Sequence, residues 1–501
     1  MKPAHRPPKP SKAEKNGTPD VPTLGKRGGE FFQPLEKALP TPVACFISLG
    51  CDKNTVDTER LMARLIEGGF LIAERPEDSD IALVNTCGFI AEAREETRRM
   101  LEALAKGRRR GRPRRIVALG CLIERMRAAT IAEPPLPADA TIGFADYPRI
   151  AEICLDLLDA AAPERRPQER RDPFENGPRL LTGLPHIAAL KISEGCSNRC
   201  RYCAIPLIRG PHRSRPIEAL VEETRQLVAS GVREISLIAQ DTTAYGLDRY
   251  GARSLPRLLR ALAEAAPEAR FRLLYAHPRH ITGELLDVLR SDAHFLPYLD
   301  LPLQHIHDRV LRDMGRGITE AEVRTLVEQI RDRWPEAALR TAYIVGFPGE
   351  SEAEFDALLR WVAEGAFLHA GVFIYSKEAG TPAAELPDDV PAAEKERRRQ
   401  LLMATQREVS RRRLAEWQNR VIPVMVDAPA DRAARRAFGA EAVGRAEWQA
   451  PEVDGVVYLC GAARFAAGDN ILARVVRTLD YDLVAEAIST VPSPTRATSA
   501  R

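Results

Sequence analysis

The sequence predicts an α/β chain of three bodies: an N-terminal parallel α/β sheet, a central open (β/α)6 partial barrel and a C-terminal small all-β barrel. Three observations predict it. Between residues 43 and 121, apolar runs ending on SLGC, VNTC and ALGC alternate with helical stretches, and their cysteines are spaced by 36 and then 34 residues. Alternation at that period implies βαβ units in a parallel sheet. From 187 to 375 six further apolar runs alternate with helices, the pattern of a (β/α) barrel. From 421 to 489 the runs IPVMV, DGVVYL and ILARVV read as strands of one β region, which suits a small β barrel.

Composition sets the outer bounds. A length of 501 residues suggests roughly three domains, and 45% apolar residues supports sizeable cores. A net charge of +3 does not announce a nucleic-acid binder. The nine cysteines are clustered and odd in number, which suits metal chemistry in a reducing, cytoplasmic setting better than a disulfide frame. No run reaches the ~18 apolar residues of a membrane helix, so no membrane partner is expected. The opening MKPAHRPPKPSKAEKNG is basic and Pro-rich with no apolar core after it, unlike a secretory signal.

Residues 1–40 lack apolar periodicity and are expected to be disordered. The first domain is expected over 41–158. It opens with a strand at 43–49 that ends on Gly50-Cys51. A helix comes next at 55–68, with Leu61, Leu65 and Ile66 on one face. A strand at 80–85 ends on Thr86-Cys87, a helix covers 91–106, and a strand at 115–119 ends on Gly120-Cys121. Ligand sites of parallel sheets lie beyond the carboxyl ends of the strands. Cys51, Cys87 and Cys121 therefore converge on one place and read as a shared metal site. Core cysteines would not fall three times at the same strand end; Cys45, Cys154 and Cys460 lack this placement and read as core. The basic run 106–115, KGRRRGRPRR, reads as a solvated connection, with phosphate contact as the alternative. A Pro- and Arg-rich linker spans 159–184.

The second domain is expected over 185–420. Strands are expected at 187–193, 234–240, 270–276, 298–303, 339–346 and 370–375, and helices at 217–230, 254–265, 282–291, 319–334 and 352–365. Sites of such barrels sit at the C-terminal ends of the strands. Gln240, Asp241, His277, Gln304, His305, the run Gly346 to Glu350 and Tyr375 stand there, and together they describe a cofactor cavity. The loop after the first strand carries Cys196, Cys200 and Cys203 in C-x3-C-x2-C spacing. Three thiolates on a short loop can hold three irons of a cubane and leave the fourth iron open. Structural zinc would want a fourth ligand; His212 is the nearby candidate, disfavoured by Pro211 and by Arg209 and Arg213. A charged helix at 391–420 is expected to pack Leu401, Leu402, Val409 and Leu414 on the barrel. The third domain, 421–489, carries seven Arg and no Lys against ten Asp and Glu, a net of −3. A domain that grips phosphates should be basic, so this one suits a basic protein partner. Residues 490–501 form a polar tail.

Two cysteine triads, one at the ends of an N-terminal parallel sheet and one in C-x3-C-x2-C, followed by a small β barrel, resemble the methylthiotransferases, a family of radical S-adenosylmethionine enzymes. The resemblance covers roughly 43–487. It implies a central radical-SAM partial barrel, a C-terminal TRAM (OB-like) barrel, two 4Fe–4S clusters and S-adenosylmethionine. It implies that Cys196, Cys200 and Cys203 bind the radical cluster and that Cys51, Cys87 and Cys121 bind an auxiliary one. It implies that Gln240, Asp241 and Glu350 line the adenosylmethionine pocket, with no catalytic residue beyond the cluster ligands. The stretches SLGCDKNTVDTE (48–59), QAPEVDGVVYL (449–459) and LDYDLVAE (479–486) are similar to the branch that modifies an aspartate of small-subunit ribosomal protein S-twelve. An aspartate β-carbon is an unactivated C–H, so acid–base chemistry cannot carry the main step and a cofactor must. The implied partners are that basic ribosomal protein, met by the acidic barrel, with ribosomal RNA contact as well, an electron donor and a sulfur donor. Two other readings stay open: a transfer RNA adenosine methylthiotransferase, favoured by the Arg-rich segments 106–115 and 397–413, and a non-catalytic zinc-containing RNA-binding or ribosome-assembly factor.

Overall fold

Five parallel strands form the first sheet of the computed structural model: β1 (Val43–Ser48), β2 (Leu71–Ala73), β3 (Ile81–Thr86), β4 (Arg115–Gly120) and β5 (Ala140–Ile142), in the order β2-β1-β3-β4-β5. The structure describes residues 41–108, 111–128, 131–158 and 177–491. The expected tails and most of the expected linker lie outside them. Three strands were legible; β2 and β5 are three-residue edges, too short to show alternation. Register aligns the strand ends. β1 pairs with β3 so that Ser48 faces Asn85, and β3 pairs with β4 so that Asn85 faces Leu119. The three central strands thus finish level, and the cysteine after each reaches the same edge. Helices α1 (Asp52–Glu67), α2 (Ala91–Gly107) and α3 (Cys121–Arg127) leave from that edge. In α1, Leu61 and Leu65 are buried but Ile66 is 46% exposed, against expectation: neighbours on a helix point about 100° apart. The first turns of α1 bury Lys53, Asn54, Asp57, Glu59 and Arg60, because α1 packs on the first strand of the central domain as well as on its own sheet.

That domain is an open barrel of six parallel strands in sequential order: β6 (Ile187–Lys191), β7 (Glu234–Ile238), β8 (Arg270–Leu273), β9 (Phe295–Asp300), β10 (Ala338–Val345) and β11 (His369–Ile374). Most of its core is one large apolar cluster, to which the helix Leu255–Ala265 alone contributes Leu255, Leu258, Leu259 and Leu262; a smaller cluster gathers Val310, Met314, Phe347 and Tyr375. The long helix Ala392–Ala415 packs against β11 and the helix Glu352–Glu364. Leu402, Val409 and Leu414 are buried as expected, while Leu401 is 38% exposed.

The C-terminal domain is a closed five-stranded barrel: β12 (Val421–Pro429), β13 (Ala442–Ala446), β14 (Val457–Cys460), β15 (Asn470–Thr478) and β16 (Leu483–Thr490), in the order β12-β13-β14-β16-β15. Ile422, Val424, Leu459, Ile471 and Val475 fill it, and Trp417 stacks on Trp448 at 4.1 Å. Cys460 is half-buried at its rim rather than in its core, and its thiol donates to Phe438 O at 3.3 Å. This domain plugs the N-terminal end of the central barrel through buried polar contacts. Glu234, the first residue of β7, accepts from Arg272 Nε at 2.9 Å and Arg445 Nη1 at 3.1 Å. Arg445 Nε also donates to Asp427 at 2.8 Å, His186 Nε2 lies 3.0 Å from Asp427, and Tyr298 donates to Asp454 at 2.7 Å. Asp427, Glu447, Asp454 and Arg445 are therefore turned toward the interface. The outward-facing balance falls to six Arg against seven carboxylates, far less acidic than composition suggested. The C-terminal end of the central barrel is left to the first domain.

Candidate active site

The N-terminal triad is assembled by short hydrogen bonds among the strand ends. Asn54, in the first turn of α1, donates from Nδ2 to Leu49 O at 2.8 Å and to Thr86 O at 3.1 Å, tying β1 to β3. Thr86 Oγ1 donates to Leu119 O at 2.7 Å and accepts from Leu122 N at 3.2 Å, tying β3 to the start of α3. The Cys121 thiol lies 3.5 Å from Asn54 Oδ1. Two glycines permit the close approach. At Gly50, φ is +96° and an added Cβ would stand 3.2 Å from Cys87 Sγ; at Gly120, φ is +95° and a Cβ would meet Asn85 Oδ1 at 2.2 Å. Gly120→Ala is expected to cost about 2–4 kcal/mol, from the Gly-only backbone plus the clash, and to lower iron retention by the triad; denaturant unfolding and iron analysis check both.

The second triad is held by its own loop. Cys196 N donates to Gly210 O at 3.1 Å, Cys203 N to Cys200 O at 3.1 Å, and Arg201 N to Met314 O at 2.9 Å. Arg316 Nη1 donates to Cys200 Sγ at 3.3 Å. Burial pushes the Cys196 thiol up to about 11 and Cys203 and Cys121 up to about 12, the last against the pull of Arg209. Protonated thiols at neutral pH give up their protons to a metal. Among the described residues, no group of three or more His, Cys, Asp or Glu is drawn together around a single-ion position.

The strand-end residues take different parts. Asp241 is buried; it accepts from Asn198 Nδ2 of the cysteine loop at 2.7 Å and from Thr243 N at 2.9 Å. Gln240 donates to Glu194 at 3.3 Å, and its Oε1 is buried without a partner. The Glu350 carboxylate accepts from Gly346 N at 2.6 Å, Phe347 N at 3.1 Å and Arg398 Nη1 at 2.9 Å, which braces its own loop. His212 contacts Ser214 at 3.0 Å. A cavity of about 810 Å³ runs through the barrel lumen, bordered by Asp52 and Phe89 of the first domain, Tyr275, Gln304 and Arg340 of the central one, and Val453 of the third. Gln240, Asp241 and Glu350 do not border it. Tyr275 (φ +58°) and Gln304 (φ +76°) are held in the left-handed region beside it, where strain marks functional sites.

Residues 190–362 match the profile of the radical SAM superfamily, 44–143 that of the uncharacterized protein family UPF0004, and 420–488 that of the TRAM domain. A curated protein of Geobacter sulfurreducens, named ribosomal protein uS12 methylthiotransferase RimO, is 43% identical over 453 residues, or 88% of this chain and 98% of its own length. Its namesake in Heliobacterium modesticaldum is 41% identical over 444 residues, or 88% and 94%. The chain belongs to the RimO methylthiotransferases. Membership of the radical SAM superfamily implies S-adenosylmethionine and a 4Fe–4S cluster. The donor set of this methylthiotransferase fits them: three thiols without a fourth ligand on the 196–203 loop, and unpartnered buried atoms beside it at Gln240 Oε1, His277 Nδ1 and Arg316 Nε. Burial, with Arg316 and His280 nearby, pushes His277 down to about 2, so it is neutral at physiological pH. Sequence reasoning missed Asn54, Arg209 and Arg316. The first two lie within a few residues of the cysteine motifs, the one local signal that could have raised them; Arg316 carries none.

Proposed function

We propose that this chain adds a methylthio group to the β-carbon of an aspartate in ribosomal protein uS12, as a cytoplasmic enzyme with two 4Fe–4S clusters. Cys196, Cys200 and Cys203 would hold the radical cluster, and Cys51, Cys87 and Cys121 the auxiliary one. One observation carries the reading: two separate cysteine triads stand at the same end of the central barrel, joined by buried side chains. The names of relatives about 40% identical over nearly their full length support the substrate. When bound, the clusters and S-adenosylmethionine supply hydrogen-atom abstraction, sulfur and methyl group. The chain's own residues do the rest. Asp241 fixes the cysteine loop through Asn198, and Arg316 holds Cys200. The C-terminal barrel borders the far end of the lumen through Val453, and its nearly charge-balanced outer surface would be what meets the ribosomal protein. In a reconstituted reaction, a uS12 peptide is expected to gain about 46 Da, one sulfur plus one CH2, and transfer RNA to gain nothing. A methylthio group on transfer RNA adenosine instead would overturn the substrate assignment.

A further inference from the structure

Arg209 ends the short helix Ile205–Arg209 that leaves the second cysteine loop, yet its guanidinium lies beside the other triad. Nη2 donates to Asn54 Oδ1 at 2.6 Å and stands 3.4 Å from Cys121 Sγ. Nη1 reaches Asp57 Oδ2 at 2.9 Å and Glu194 Oε1 at 3.0 Å. Glu194 sits two residues before Cys196 and accepts from Gln240 Nε2 at 3.3 Å. Lys191 completes the set, bonding Glu194 at 2.7 Å and Asp57. The side chains of Arg209, Lys191, Asp57 and Glu194 are at most 3% exposed. A continuous hydrogen-bonded chain therefore runs from the end of β7, through the residue pair that launches one triad, to a thiol of the other.

We propose that Arg209 is a positioning residue that fixes Cys121 and raises the reduction potential of the auxiliary cluster. The proposal rests on the two-cluster reading. The four buried charges cancel: two cations, two carboxylates. In that neutral, dry setting the one guanidinium edge turned to Cys121 acts as a charge-assisted donor to a thiolate sulfur. Such a donor favours the state with one more electron, because hydrogen bonds to the sulfurs and local net charge both set cluster potentials. Removing Arg209 deletes the donor and leaves the set one charge negative; both changes disfavour reduction. Lysine keeps the charge but lacks the planar fork, so it cannot serve Asn54, Asp57, Glu194 and Cys121 together.

The test is an EPR-monitored redox titration of the full chain with dithionite. It is run in wild type and in a Cys196→Ala/Cys200→Ala/Cys203→Ala background that isolates the auxiliary cluster. Arg209→Met is expected to move the auxiliary midpoint to a more negative potential and to change its EPR signature. Arg209→Lys is expected to fall between Met and wild type. The radical cluster, contacted by Arg316 instead, is expected to keep its potential in both. If the Met variant does not retain iron, the Lys variant carries the test. An unchanged auxiliary potential in a variant that binds its full iron overturns the proposal and leaves the two-cluster reading intact. A wild type that binds only one cluster overturns the reading itself.

Discussion

Cys87→Ala is expected to halve the iron of the reconstituted protein, from about eight to about four per chain, and to remove methylthiolated product while the fold survives. The reasons are separable. Cys87 is half-buried at the mouth of β3, and exchanging a thiol for a methyl there opens little space, so stability is expected to fall by no more than about 1 kcal/mol. Iron binding has no such tolerance. Asn54 and Arg209 lie at the triad, but a guanidinium has no lone pair to offer a metal and an amide oxygen is a poor donor to a soft iron–sulfur centre. Two thiols cannot replace three ligands on three irons. Cys196→Ala is expected to lose the complementary half of the iron and, with it, cleavage of S-adenosylmethionine, which Cys87→Ala retains. Iron analysis, cofactor cleavage and peptide mass, measured on both variants side by side, give the pattern. Product from Cys87→Ala would sink the auxiliary-cluster assignment.

Much of this geometry is legible in the chain because parallel sheets translate sequence period into spatial alignment. Level register brings three strand ends 36 and 34 residues apart in sequence to one edge, and the alternation of runs places the longer strands. What escapes has physical reasons. Ile66 and Leu401 each sit next to a core leucine, and the 100° step between helix neighbours lets only one face inward. Strand β13 reads as polar because its centre is Gly444-Arg445. Yet a Cβ at 444 would meet Met425 O at 2.3 Å, and Arg445 is spent on Glu234 and Asp427. Charge is the least readable feature. Arg209, Arg316 and Arg445 look like solvated side chains in sequence, and their partners lie up to 211 residues away. The same blindness made the C-terminal barrel look strongly acidic, since its interface carboxylates cannot be told from its surface ones.

Glu234→Ala is expected to destabilise the docking of the C-terminal barrel by about 3–5 kcal/mol, the cost of breaking a buried ion pair from one side. Arg272 and Arg445, at 1% and 3% side-chain exposure, would lose a shared carboxylate and remain in the interface. Limited proteolysis near 415–421, where the long helix gives way to β12, is expected to quicken before the central barrel unfolds. The same carboxylate sets an acid limit. Burial alone would raise its pKa, but the guanidiniums of Arg272 and Arg445 outweigh burial and hold it at about 2, against 4.5 ordinarily. A depressed folded pKa means the contribution is complete above about 4.5 and lost as pH falls toward 2, amounting to roughly 3 kcal/mol. Glu234→Ala should therefore flatten the acid limb of docking stability as well as lower its plateau. Replacing the trio together, as Glu234→Leu with Arg272→Met and Arg445→Met, is expected to recover part of that loss, since it leaves neither guanidinium buried without a carboxylate, while Asp427 loses Arg445 and keeps, among the described residues, only His186. If that triple variant docks firmly and still makes product, the charges serve placement during folding rather than the reaction. If it docks but loses product, the buried charges at the base of the lumen take part in seating the substrate.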